Sequence, residues 1–115
     1  MEKTLTDSLT KAIISAMEDK KAEQIKLLDI SQISILADYL LIASGNNKNQ
    51  IQAICDNVLE VLHKNKYIQR SVEGYDNASW ILIDCNDIII NIFDKESREF
   101  YDLERLYIDS TIVNI

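Results

Sequence analysis

The residues best suited to chemistry lie in the segment ASWILIDCNDIIINIFD, residues 78–94, where two apolar runs meet at a short acidic turn. Asp84 and Asp87 flank the turn, and Trp80 and Asn91 interrupt the otherwise aliphatic runs. Paired carboxylates hold the metal ions of phosphoryl-transfer enzymes, whereas an aromatic side chain rimmed by acids on a half-polar face has the anatomy of a protein–protein contact. The segment therefore suggests either a metal-dependent catalytic site or a protein-binding surface, and the rest of the sequence is needed to choose between them.

The catalytic alternative is a nucleotidyltransferase, with Ser44 and Gly45 as its phosphate-binding turn and Asp84 and Asp87 as its metal ligands. Two-metal phosphoryl transfer needs carboxylates that converge on ions about 4 Å apart. The chain offers an aspartate pair across a turn without an evident third acid, and one glycine before a helix is a weak phosphate signal. We therefore expect no enzyme activity, no cofactor and no metal site.

The two cysteines and the single histidine do not form a metal or disulfide motif. Cys55 and Cys85 lack CxxC spacing, and His63 falls near a predicted helix end, where an imidazole needs no catalytic role. The N-terminus does not resemble a signal or transit peptide, and no apolar run reaches membrane-spanning length. These features predict a soluble cytoplasmic protein that does not contact membranes.

The net charge of −7 is unevenly distributed. Acids and bases balance over residues 1–72, whereas residues 73–115 contain ten acids against only Lys95, Arg98 and Arg105. An acidic surface disfavours direct, sequence-specific binding of nucleic acid and steers encounter with a basic partner. The alternative is that the acidic residues only maintain solubility, and charge by itself favours that simpler interpretation.

Hydrophobic periodicity predicts the elements that position these residues. We expect a helix over about residues 4–20, a second helix capped by Asn46 or Asn47 and ending near His63, and a third over 97–108 with Phe100, Leu103, Leu106 and Tyr107 on its apolar stripe. Strands are predicted at 25–29, 38–45 and 68–72 and in both arms of the 78–94 hairpin. The predicted order is αββαβββα.

This order describes an α/β (α+β) fold, in which a mixed five-stranded sheet is flanked by helices and one sheet face stays partly uncovered. A chain of 115 residues with 47% hydrophobic content is long enough for one core and too short for two. We therefore expect a single domain over residues 1–115.

A two-residue loop at Cys85 and Asn86 would pair Trp80 with Asn91 and Asp84 with Asp87. One hairpin face would then be uniformly apolar, with Ile81, Ile83, Ile88, Ile90 and Ile92. The other would carry Trp80, Leu82, Asp84, Asp87, Ile89, Asn91 and Phe93. Opposed aspartates destabilise a sheet unless water or a cationic partner relieves them, so this face is predicted to bind a protein through Trp80. The alternative is a core tryptophan under a helix.

Several separated motifs together resemble the ribosomal silencing factor, or Iojap, family, from about residue 5 to 108. They are Ala37-Asp38-Tyr39, Ala43-Ser44-Gly45, Glu73-Gly74, Trp80, Leu82, Asp84, Asp87, Arg98, Tyr101, Leu103 and Glu104. The resemblance implies a nucleotidyltransferase-like sheet without known catalysis. It also implies a translational repressor that binds a basic ribosomal protein on the subunit-joining face of the large ribosomal subunit, and blocks joining of the small subunit when nutrients are scarce.

Hairpin pattern and resemblance together predict a set of partner-binding residues: Glu73, Trp80, Leu82, Asp84, Asp87, Asn91, Arg98 and Tyr101. The chain departs from the family pattern, which has histidine at the position of Asn91, tyrosine and glycine at Cys85 and Asn86, and tryptophan at Tyr107. Asn91 still hydrogen-bonds but cannot become cationic, so a pH-sensitive role is not expected. Two alternatives stay open: an assembly-factor partner, and a homodimer of the free protein through the same face.

Overall fold

The computed structural model describes residues 7–114, which form a mixed sheet of six strands with helices packed against both faces. In chain order the elements are α1 Asp7–Asp19, β1 Glu23–Asp29, β2 Tyr39–Gly45, α2 Lys48–Lys64, β3 Ser71–Glu73, β4 Trp80–Asp84, β5 Ile88–Asp94, α3 Lys95–Tyr101, α4 Leu103–Leu106 and β6 Thr111–Val113. The strand order across the sheet is β3-β4-β5-β2-β1-β6. Only β2 and β5 are parallel neighbours; the other adjacent pairs are antiparallel. The predicted mixed α+β fold is confirmed, and the predicted helix residues 4–6 lie outside the described part.

The strand count of five was wrong, because the chain end adds a sixth strand. In β6, Ile112 pairs with Leu28 of β1, and Val113 pairs with Leu27. Three residues are too few to show an alternating pattern, although β-branched threonine, isoleucine and valine favour strands. β3 is also shorter and later than predicted, since it covers Ser71–Glu73 only.

The predicted terminal helix 97–108 is divided in two. α3 ends at Tyr101, and Asp102 adopts a left-handed backbone with φ 48° before the single turn of α4. A left-handed residue interrupts the regular helical hydrogen-bond ladder and turns the chain. The predicted apolar stripe is therefore only half right: Leu103 and Tyr107 pack against the sheet, whereas Phe100 and Leu106 are exposed.

Helices α1 and α2 cover one face of the sheet and form the larger core with it. α2 begins as predicted at an asparagine cap, in which the Asn47 side chain accepts the backbone N–H of Gln50 at 2.8 Å. Its buried stripe is Ile51, Ile54, Cys55, Val58 and Leu62. Beneath it lie the predicted hairpin isoleucines, all fully buried: Ile81, Ile83, Ile88, Ile90 and Ile92. Full burial of each such side chain contributes about 1.5–3 kcal/mol.

Gly45 joins β2 to α2 for a packing reason. A Cβ at this position would lie 2.7 Å from Cγ1 of Ile51 and 3.3 Å from Oε1 of Gln50. The absence of a side chain thus lets the first turn of α2 approach the end of β2 closely. This packing role accounts for the glycine without any phosphate-binding function.

The hairpin register differs from the prediction by two residues. Trp80 pairs with Phe93, and Leu82 pairs with Asn91. Three residues, 85–87, separate the two strands. Asn86 turns the chain with a left-handed φ of 70°, and the backbone N–H of the buried Cys85 donates to the carbonyl of Ile88 at 3.0 Å. A shift of two preserves the side on which each residue lies, so the predicted division into two faces holds. The predicted opposition of Asp84 and Asp87 was wrong, since Asp84 faces Ile89.

Candidate docking surface

The sheet face opposite α1 and α2 is covered only in part. A smaller core on this side comprises Leu28, Ile30, Ala37, Leu40, Ile42 and Phe93. α3 and α4 pack over one end of it, whereas β3, β4 and the Ile89 end of β5 stay partly open. We call this open face the surface formed by Glu73, Trp80, Leu82, Asp84, Ile89 and Tyr101, which are half-buried or exposed.

Trp80 is fixed by contacts on several sides. Its ring stacks on Phe93 with centroids 5.0 Å apart, and Tyr101 of α3 lies against it at 4.6 Å. The indole Nε1–H donates to Oδ1 of Asn91 at 2.9 Å. The side chain is half-buried, so it is neither a fully enclosed core tryptophan nor a free aromatic group. The result is an immobilised aromatic surface with a satisfied polar atom.

Asn91 supports this tryptophan from within the sheet. It is buried, and its Nδ2 donates to the carbonyls of Leu41 and Ile89 at 3.4 and 3.3 Å. Its side-chain oxygen and nitrogen are thus both used internally. Asn91 therefore orients Trp80 and is not itself accessible to a partner.

Strand pairing sets the open face out in rows across the sheet. In one row Glu73 of β3 lies beside Leu82 of β4, which pairs with Asn91 of β5. In the next row Asp84 lies beside Ile89. Side chains of directly paired residues project to the same side, so the acidic Glu73 and Asp84 border the apolar Leu82 and Ile89. An apolar strip with carboxylates at its margin follows from this register.

The hairpin loop is held by hydrogen bonds to neighbouring segments. The carboxylate of Asp84 accepts the backbone N–H of Asn86 at 2.9 Å, and the carbonyl of Asp87 accepts the N–H groups of Asp38 and Tyr39 at 2.9 and 3.1 Å. The hydroxyl of Tyr67 donates to the carbonyl of Cys85 and lies 3.3 Å from Oδ2 of Asp87. Burial, reinforced by the Asp87 charge, raises the pKa of Tyr67. Asp87 therefore sits at the loop end of the open face rather than opposite Asp84.

Arg98 of α3 is buried between that helix and β2. Its buried guanidinium donates from Nη1 to Oγ of Ser44 at 2.8 Å and from Nε to Oε1 of Glu104 at 3.2 Å. Burial opposes ionisation of Glu104, but Arg98 and Lys26 outweigh it and lower the pKa of that carboxyl. Since Ser44 is the penultimate residue of β2 and Glu104 lies in α4, Arg98 links both short helices to the sheet. It holds α3, and with it Tyr101, against Trp80.

The serine suggested for catalysis is engaged in a hydrogen bond, and the two cysteines are buried. Ser44 accepts a hydrogen bond from Arg98, and burial is the main cause that raises the pKa values of Cys55 and Cys85 to about 12. Thiols with such pKa values stay protonated and are poor nucleophiles near neutral pH. Within residues 7–114 no three or more His, Cys, Asp or Glu side chains are grouped as metal ligands. Every helix within residues 7–114 is too short or too polar to span a bilayer.

Comparison with known proteins places this geometry in context. Residues 3–115 match the sequence profile of the family described as ribosomal silencing factor during starvation. The chain belongs to this family. The ribosomal silencing factor of Bacillus subtilis is 37% identical over 108 residues, which are 94% of this chain and 92% of that protein. A crystal structure of a protein from Bacillus halodurans superimposes with a TM-score of 0.85 at 34% identity, covering 96% of this chain and all of the other.

A more distant relative carries a different name. The mouse protein called mitochondrial assembly of ribosomal large subunit protein 1 is 24% identical over 100 residues, which are 83% of this chain and 43% of that protein. The curated silencing factors are named as such and not as enzymes, which fits the expectation of a non-enzyme. The resemblance inferred from the sequence motifs is confirmed.

Within this silencing-factor fold, the predicted site residues separate into three groups. Trp80, Leu82, Asp84, Glu73 and Tyr101 are brought together on the open face, and Asp87 lies at its loop end. Asn91 and Arg98 are buried; Asn91 bonds to Trp80, and Arg98 ties α3, which carries Tyr101, to Ser44.

Two exposed residues beside the open face were missed by sequence reasoning. Phe100 meets Tyr101 edge to face at 5.1 Å and is largely exposed, as is Leu106. Helical periodicity assigned both to the buried stripe. The signal that could have separated them is Asp102, a residue type that tolerates the left-handed conformation ending α3.

Proposed function

We propose that this silencing factor uses the open face to bind a basic protein on the subunit-joining face of the large ribosomal subunit. The bound factor blocks joining of the small subunit, and it represses translation chiefly when nutrients are limiting. The observation that carries this proposal is the fixed, half-buried Trp80 on a face whose apolar Leu82 and Ile89 are bordered by Glu73 and Asp84. The proposed site of action is cytoplasmic, where subunits join.

The geometry of Trp80 supports its role as an anchor. Aromatic residues in the middle of an interface contribute much of the binding free energy when a partner excludes water from them. Phe93, Tyr101 and Asn91 already hold the indole in one orientation, so little conformational freedom is lost on binding. Leu82 and Ile89 extend the apolar strip along the same face.

Charge supports the choice of a basic partner. Residues 71–94 include Glu73, Asp84 and Asp87 but no lysine or arginine. Carboxylates at the rim of an interface accelerate encounter with a positive surface and disfavour the phosphates of ribosomal RNA. The partner is therefore proposed to be a protein on the subunit and not the RNA itself.

The free protein is proposed to form a homodimer through part of the open face. Tyr101 lies against Trp80, and the exposed Phe100 and Leu106 lie around Tyr101 and leave apolar area in water. Apolar area of this kind favours self-association when no other partner is bound. A dimer that uses this face would compete with docking on the subunit.

A second candidate function is assembly of the large subunit. The name of the mouse relative favours this candidate, because it refers to assembly of the mitochondrial large subunit. The same open face would then recognise an immature particle. Comparing binding to purified mature subunits with binding to precursor particles separates the two functions.

Sedimentation tests the proposal. Purified protein mixed with separated ribosomal subunits is run through a sucrose gradient, and its position is located by immunoblotting. We expect it to migrate with the large subunit and not with the small one. Protein that stays at the top of the gradient at saturating subunit concentration would rule out ribosome docking. Protein that migrates with precursor particles alone would favour the assembly function.

A further inference from the structure

The loop between β1 and β2 holds three apolar side chains out in water. Ile35 is fully exposed, Leu36 is 76% exposed and Ile33 is 47% exposed. Scattered exposed apolar residues are common on proteins, but three within four positions of one loop are a concentrated apolar surface. None of them belongs to either core cluster of the described residues.

Hydrogen bonds fix the shape of this loop. The backbone N–H of Ile30 donates to the carbonyl of Asp38 at 2.8 Å and closes its base, while the N–H of Ser34 donates to the carbonyl of Ile30 at 2.9 Å. The N–H of Leu36 donates to Oγ of Ser34 at 3.1 Å. Ile30 and Ala37, at the two ends, are buried. The exposed tip is therefore carried on an ordered turn and not on a frayed segment.

The loop continues the open face. Its buried ends, Ile30 and Ala37, belong to the same cluster as Phe93, and Trp80 and Ile89 pack against that cluster. The backbone N–H of Asp38 donates to the carbonyl of Asp87, which joins the loop base to the hairpin turn. A partner lying across Trp80 and Ile89 toward the hairpin turn would next meet the tip of this loop.

The surroundings of the loop are acidic. Asp29 and Asp38 flank it, Asp84 and Asp87 lie at the adjoining hairpin turn, and residues 27–47 contain no lysine or arginine. Hydrogen bonds from Ser31 lower the pKa of Asp29 and keep it ionised. Arg70 reaches this end of the sheet, with Nη1 donating to Oδ1 of Asn86 at 3.4 Å. The apolar tip is thus bordered mainly by negative charge.

We infer that residues 31–36 form a second docking element, which inserts Ile35 and Leu36 into an apolar hollow on the basic protein that the open face binds. The acidic border selects a positive protein surface and disfavours RNA. The inference rests on the proposed docking function and extends it from one anchor at Trp80 to two. Two separated anchors fix the orientation of the factor on the subunit, which a single tryptophan would leave free to rotate.

A double variant, Ile35→Ser with Leu36→Ser, tests the inference. Both side chains are exposed, so the melting temperature should match that of the wild type. Binding to purified large subunits, measured by titration of fluorescently labelled protein, should weaken by at least about tenfold. The matched control is Ile68→Ser, because Ile68 is 87% exposed and precedes the edge strand β3, which β4 and β5 separate from β2. The control should bind as the wild type does.

The outcomes distinguish this inference from the proposed function. Wild-type affinity in the double variant, together with weakened binding in Trp80→Ala, overturns the second docking element and leaves the proposed function standing. Failure of the wild-type protein to bind large subunits overturns both. If the double variant keeps subunit affinity but loses self-association in sedimentation velocity, a second copy of the chain covers the loop and the inference is wrong.

Discussion

The hairpin of β4 and β5 contributes to both faces of the sheet, and its two sides differ in burial and in composition. On the helix-covered face, Ile81, Ile83 and Ile90 are fully buried beneath α1 and α2. On the open face, Trp80, Leu82 and Ile89 alternate with them and keep part of their surface in water. The difference teaches that one strand pair can supply stability through one set of side chains and, in the proposed function, recognition through the other.

The open face is nevertheless ordered. Asn91 and Arg98 are buried polar side chains whose hydrogen bonds hold Trp80 and α3 in place. Buried polar groups stabilise a structure only when they are fully paired, and no buried side-chain nitrogen or oxygen in the described residues lacks a partner. The interior therefore determines the shape of the open face.

The largest expected effect is on the covered face. Ile90→Ala removes a fully buried side chain and leaves a cavity under the helices, so the free energy of unfolding should fall by about 2–5 kcal/mol. Urea denaturation followed by circular dichroism measures this change. Loss of less than about 1 kcal/mol would mean that the covered face does not dominate stability.

Trp80→Ala should act on binding first. Removing the anchor should weaken docking on large subunits by about 2 kcal/mol or more, and Trp80→Phe should recover part of it. Binding titrations and thermal melts of both variants provide the measurement. A Trp80→Ala protein that melts far below the wild type and loses binding only through unfolding would make Trp80 a core residue and erase the contrast between the faces.

Asp84→Lys should change the rate of docking more than the fold. Asp84 is half-buried, on the margin of the open face, and reversing its charge should slow association with a basic partner several-fold, most strongly at low salt. Stopped-flow association at increasing ionic strength measures this effect. Glu60→Lys, on the exposed side of α2, is the control and should leave the rate almost unchanged. Equal effects of both variants would indicate general charge and not a local rim.

The pH dependence of stability should give the smallest effect. The pKa of Glu104 is lowered in the folded protein, so its ionised form stabilises the fold above its ordinary pKa of 4.5. That contribution is lost as the pH falls from this value through the lower folded pKa. Partial exposure of Glu104 limits the contribution. The urea midpoint, measured between about pH 6 and pH 3 where carboxyl groups titrate, should decrease less steeply for Glu104→Gln than for the wild type.

The alternation of the hairpin could be read from the sequence, because a period of two assigns each residue to a face without knowledge of the loop. The register could not be predicted, because the buried Cys85 and the left-handed Asn86 belong to a three-residue loop that has no recognisable sequence motif. The burial of Arg98 was also hidden, because arginine is usually exposed and its partners Ser44 and Glu104 are far from each other along the chain.

Subunit joining tests the central claim most directly. Purified small and large subunits are mixed in magnesium-containing buffer with increasing amounts of the protein, and monosome formation is followed by light scattering. The account predicts that wild-type protein reduces the final monosome signal in proportion to its occupancy of large subunits, whereas a folded Trp80→Ala variant at the same concentration has little effect. An unchanged monosome signal at saturating wild-type protein, or equal inhibition by the variant, would contradict it.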